Sequence, residues 1–107
     1  MLRARQTCQF SGLTPTMQIE PDLTEWDVGD YEGLTSVDIG KRRPDLNIFK
    51  DGCPGGEMPF EVTNRDDRSL DQLRMLEGNI ALFSYGQFGR VLAARWVGLQ
   101  VIAAQHF

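Results

Sequence analysis

Ser84, Tyr85 and Gly86 stand between a short apolar run, Asn79, Ile80, Ala81, Leu82 and Phe83, and a stretch in which Phe88, Val91, Leu92, Trp96 and Val97 recur at helical spacing. The pattern predicts a buried strand over 79–83, a turn at Gly86 and then a helix. That layout builds anion sites. The first N–H groups of a helix lack intrahelical partners and carry the positive end of its dipole, so the space in front of them favours phosphate or carboxylate. The second segment with chemistry in it is 23–33, where Glu25, Asp27, Asp30 and Glu32 share a loop with Gly29 and Gly33. A carboxylic acid can protonate a leaving oxygen when burial or neighbouring acids raise its pKa, and Asp27, Asp30 and Glu32 are the neighbours available to Glu25. The same acids lack the alternating oxygen pattern and terminal bidentate glutamate of a calcium loop. Cys8 and Cys53 lie in separate segments without zinc-ligand spacing, so neither a metal nor another cofactor is expected.

Helices and turns must position these residues. Residues 3–11 have a helical pattern with Ala4, Cys8 and Phe10 inward and Gly12 as the stop. A brief strand is expected over 17–20, between Pro15 and Pro21. Residues 35–43 form a helix that ends before Pro44, and 51–59, with three glycines and two prolines, form a turn cluster. A longer helix follows over 60–76 with Val62, Leu70, Leu73 and Leu76 on one side, although Asp66 and Ser69 interrupt the stripe. Each interruption forgoes roughly 1.5–3 kcal/mol of apolar burial. The last helix runs to Gly98 with Trp96 in the core, and Arg90 and Arg95 lie on separate faces of it.

With 107 residues, one small domain is the most the chain can build. An apolar share of 41% and a charged share of 24% exclude collagen-like and disordered classes. A net charge of −4 removes the basic face that nucleic acids or anionic membranes require. The first ten residues lack the apolar core of a signal peptide and no run is long enough to cross a bilayer, so a soluble cytoplasmic protein with reduced thiols is expected.

Four stretches, in order, resemble the histidine phosphatase (phosphoglycerate mutase-like) superfamily: LRARQT at 2–7, LTEWDVGDYEGL at 23–34, NIFKDGCPGGE at 47–57 and LFSYGQFGRVLAARWVGL at 82–99. The resemblance implies a three-layer α/β/α fold over a single domain, 1–107. That domain is expected to be incomplete, because the family's N-terminal Arg-His-Gly motif with its strand, and an extended C-terminal segment, have no counterpart here. It makes Arg3 a phosphate-clamping arginine, whose planar donors grip two oxygens at once. Glu25 matches the proton donor. Ser84 and Gly86 flank the family's second catalytic histidine, and Tyr85 stands in its place. A phenol with an ordinary pKa of about 10 is neutral at pH 7 and supplies no positive charge to a transferring phosphoryl group. Gly55, Gly56 and Glu57 match a Gly-Gly-Glu turn, in which the glycines serve either the turn itself or the close approach of a ligand. Met58 replaces a serine that would cap the next helix. The lone His106 is expected to be structural or exposed.

The implied function is phosphomonoester hydrolysis or phosphomutation on small phosphorylated metabolites, with activity impaired or absent. The partners expected are such a metabolite or inorganic phosphate and, through unpaired strand edges, a second copy of the chain. The alternatives are a catalytically dead module that binds a phosphate ligand or a protein, and a truncated product without a role of its own.

Overall fold

The computed structural model describes residues 2–13 and 17–107, and every regular element among them is helical. Helix α1, Leu2–Ser11, buries Ala4 and Cys8 but leaves Phe10 exposed. Helix α2, Ser36–Arg42, starts at a capping box in which Thr35 Oγ1 accepts the Asp38 N–H at 3.1 Å and Asp38 Oδ2 accepts the Thr35 N–H at 3.2 Å. Helix α3, Ile48–Asp51, is a single turn capped by Asn47, whose Oδ1 accepts the Phe49 N–H at 3.0 Å. Helix α4, Pro59–Arg74, has Pro59 in its first turn. No side chain caps it at Met58, as the missing serine implies, although Glu61 Oε1 accepts the Met58 N–H at 3.2 Å. Helix α5 is Gly86–Trp96, and 3-10 turns occupy Pro21–Leu23, Gly29–Tyr31 and Val101–His106.

The α/β/α sheet expected from the resemblance is not present among the described residues, which contain no strand. Residues 17–20 and 79–83 carry the strand-like sequences, and both run without regular structure along one cavity of about 630 Å³. Pro15, expected to bound the first of them, lies outside the described residues. A strand exists only through a partner that accepts and donates its backbone hydrogen bonds, and two short segments separated by a cavity offer each other no ladder. Residues 79–82 are exposed, so their peptide groups are left to water.

The core lies where α4 and α5 cross. Val62 and Leu70 of α4 and Phe88, Val91 and Ala94 of α5 are buried, with Leu23, Trp26, Phe49 and Ala104 closing around them. Trp26 meets Phe49 edge to face at 5.7 Å between ring centroids, and its indole N–H donates to the Glu57 carbonyl at 3.0 Å. The turn Val101–His106 packs on α5 and α3 and buries Ala104 completely, an element for which 101–106 carry no periodic signal. Trp96 lies outside this core: it is 56% exposed, with the Arg74 guanidinium 5.5 Å from its ring centroid. It belongs to the last turn of α5, where only the long side chain of Arg74, at the end of α4, reaches it.

The interruption in the α4 stripe is real. Asp66 is 0% exposed and Ser69 3% exposed, and none of their side-chain oxygens has a hydrogen-bond partner among the described residues. Burial pushes the Asp66 carboxyl up to about 7, against the pull of the neighbouring Arg65 guanidinium.

Candidate functional site

Glu25 and the start of α5 meet. The carboxylate crosses to the helix N-terminus, where Oε1 accepts the Phe88 N–H at 2.8 Å and Oε2 accepts the Gln87 N–H at 3.2 Å. Oε1 also takes the N–H of Trp26 at 2.8 Å. The helix start expected to receive an anion therefore already holds one, supplied by the chain itself. Glu25, Gly86, Gln87 and Arg90 line a shallow, open cleft at this point. Oε2 accepts a single bond and keeps a lone pair, the group an acid or base in the cleft would use.

Tyr85 is the N-cap of α5 and caps it with no side-chain hydrogen bond. Its ring faces α1, with the Arg3 guanidinium 5.3 Å from the ring centroid. Arg3 and Tyr85, far apart in sequence, are thus brought together beside the cleft. The Ser84 hydroxyl points the other way and donates to the Leu23 carbonyl, so it ties α5 to the segment that carries Glu25. A Cβ built on Gly86 would meet nothing within 4 Å, so no close approach dictates glycine there. His106 is exposed at the end of the last turn, and Arg5 is exposed on α1.

The acidic loop is braced by the Gly-Gly-Glu turn. A Cβ on Gly56 would lie 2.2 Å from the Asp27 carbonyl, and one on Gly29, with φ +52°, would lie 2.3 Å from the Pro54 carbonyl. Here the glycines serve backbone-to-backbone contact between the two loops. Across that contact the Glu57 N–H donates to the Asp27 carbonyl at 2.8 Å, and Glu57 Oε1 accepts the Asp27 N–H at 2.9 Å. Asp27 Oδ1 turns inward on its own loop to accept the Gly29 N–H at 3.0 Å.

A sequence profile of the histidine phosphatase superfamily (branch 1) matches residues 1–107. The chain belongs to the histidine phosphatase superfamily. It is 35% identical over 107 residues to an acid phosphatase of Mycobacterium tuberculosis, covering 98% of this chain and 52% of that protein. It is 34% identical over 127 residues to a sedoheptulose 1,7-bisphosphatase of Saccharomyces cerevisiae, covering 94% of this chain and 46% of the relative. The solved structure of an open reading frame product from Mycobacterium tuberculosis superposes with a TM-score of 0.89 at 34% identity, over 98% of this chain and 55% of that one. The chain thus spans about half the length of the curated relatives it matches.

Two residues of this histidine phosphatase superfamily member were given no site role by the sequence. Arg90 reaches the cleft from α5, its Nε–H donating to the Phe107 carbonyl at 3.0 Å. Arg65 sits beneath the acidic loop with its side chain 12% exposed and paired with Glu57 at 2.9 Å. The only available sequence signal was a cation on the half-buried flank of a helix that starts just after Glu57. Its other partners lie about forty residues away in the chain and follow no local pattern.

Proposed function

We propose that this chain is a phosphatase-like domain that handles the phosphate group of small phosphorylated metabolites in the cleft of Glu25, Gly86, Gln87 and Arg90. The observation that carries the reading is the Glu25 carboxylate, anchored at the N-terminus of α5 on the cleft wall. Family membership supports the chemical class. Hydrolysis breaks the bond from phosphorus to the alcohol oxygen and forms one from phosphorus to a water oxygen. The acid form of Glu25 passes its proton to the departing oxygen, which leaves as an alcohol instead of an alkoxide, and takes a proton back from the attacking water. Arg3 and Arg90 supply positive charge to an acidic chain, and Tyr85 supplies a hydrogen-bond donor. Cys8 and Cys53, buried and unpaired, suit a reducing compartment, and cytoplasmic residence is part of the same reading.

A second reading, phosphate binding without turnover, draws on Tyr85. A tyrosine at the family's second histidine position brings no positive charge to a phosphoryl group, and losing one such charge-stabilising group costs on the order of 10²–10³ in rate. Turnover of p-nitrophenyl phosphate by the purified chain, with Glu25→Gln for comparison, separates the two. Measurable hydrolysis that falls about 100-fold or more in Glu25→Gln supports the first reading. An upward shift of the thermal midpoint in millimolar phosphate or vanadate without hydrolysis supports the second. If neither is seen, both readings fall.

A further inference from the structure

We propose that Arg65 is the positioning residue for Glu25, a role that rests on the reading of Glu25 as the acid group of the cleft. A guanidinium offers five N–H hydrogens in one plane, and all five are used here. The Nε–H donates to Glu57 Oε2 at 3.1 Å. One terminal nitrogen donates to the carbonyls of Asp22 at 2.7 Å and Thr24 at 2.6 Å. The other donates to the carbonyl of Glu25 itself at 3.3 Å and to Glu57 Oε1 at 2.9 Å. The guanidinium also lies over the Phe88 ring, 4.4 Å from its centroid. Phe88 is the residue whose N–H donates to Glu25 Oε1.

One side chain therefore holds both ends of the contact. It fixes the main chain at 22, 24 and 25, from which the Glu25 side chain departs, and it packs on the residue where that side chain arrives. Arg65 is absent from the cleft lining, so it acts through Glu25 and not on a ligand. Glu57 completes the frame, because its carboxylate neutralises Arg65 while Oε1 also takes the N–H of Asp27. Lysine cannot substitute. Its three donors radiate from one atom, reach no more than part of this set, and present no flat face to Phe88.

Amide hydrogen exchange on the full chain tests the assignment in wild type, Arg65→Lys and Glu25→Gln. In Arg65→Lys, exchange at Gln87 and Phe88 accelerates roughly tenfold or more, while Leu70 and Val91 in the adjoining core keep their wild-type rates. Wild-type rates at Gln87 and Phe88 in Arg65→Lys overturn the proposal, as does an equal acceleration at all four amides, which is the signature of general loosening. If Arg65→Lys does not fold, the Arg65 Nε–H signal decides between the other two proteins. It is slow to exchange in both, because its acceptors do not include the Glu25 carboxylate; exchange as fast as an exposed arginine's in either one overturns the proposal. None of these readouts needs turnover or bound phosphate. The cleft can fail as a phosphate site while the Arg65 assignment stands, and the assignment can fail while the cleft binds phosphate.

Discussion

Asp66 is a carboxyl group sealed beside the α4–α5 core with no hydrogen-bond partner among the described residues, and that makes the fold sensitive to pH. Its pKa in the folded chain is pushed up to about 7, from 3.8, by burial. Arg65 and Asp67 on α4 and Arg95 on α5 are the charged groups that act on it, the arginines lowering the value and Asp67 raising it. The folded state therefore binds a proton that the unfolded chain has already released. Stability from this group is complete below about pH 4 and is lost as pH rises to about 7, with the folding constant falling up to about tenfold per pH unit. Urea denaturation at half-unit steps from pH 4 to pH 8 measures the slope. Asp66→Asn, which cannot ionise, is expected to flatten it; an unchanged slope in that variant would remove Asp66 as the cause. The site residues show a different limit of reading by type. Glu25 was legible because a family motif surrounds it, whereas its seat on Gln87 and Phe88 was not, since an anion expected from solvent turned out to be the chain's own.

The helices were legible where their signals are local. Ala4 and Cys8, spaced one turn apart, do face inward on α1, and the helix expected over 35–43 is α2, Ser36–Arg42, which ends before Pro44. Val62 and Leu70 mark the buried face of α4 and Phe88 and Val91 that of α5. The stretch 79–83 failed because a strand is a property of two segments, and the described residues place no partner beside it. Ser69 shows what the α4 pattern loses: a hydroxyl 3% exposed with no hydrogen-bond partner among the described residues. Ser69→Ala removes that orphan group and is expected to stabilise the chain by about 1 kcal/mol in chemical denaturation. Destabilisation would mean that the hydroxyl has a partner. The middle of α4 and the last turn of α5 are tied by Arg95, whose Nε–H and terminal N–H reach the two Asp67 oxygens at 2.9 Å each. Both side chains are partly exposed, at 27% and 39%, so Arg95→Met should cost no more than about 1 kcal/mol. A larger loss would show that this pair, and not the apolar seam, holds the helices together.

On the scale of the whole molecule, the chain is more extended than a compact domain of its length. Its radius of gyration is 14.9 Å, against roughly 13 Å for a compact domain of this size. Helices α3, α4 and α5 pack with the turns Pro21–Leu23 and Val101–His106, while α1 and α2 stay at the margin of that unit. Between α1 and α4 lies the 630 Å³ cavity, and its rim leaves Leu13, Ile19, Leu76, Ile80 and Leu82 exposed by 38–58%. Contiguous apolar surface beside extended backbone invites pairing with another chain. Light scattering across a concentration series is therefore expected to show the mean mass rising above that of one chain. Lysine at an exposed strand-like edge opposes such pairing, and each large aliphatic side chain that no longer becomes buried forfeits roughly 1.5–3 kcal/mol of association energy. Ile80→Lys with Leu82→Lys should thus move the onset of association to at least about tenfold higher concentration, since about 1.4 kcal/mol is a factor of ten. The substituted residues lie away from Glu25 and α5, so phosphate-dependent stabilisation, if present in the wild type, should persist in the variant. A wild-type chain that stays monomeric at millimolar concentration would show that this exposed rim does not drive association.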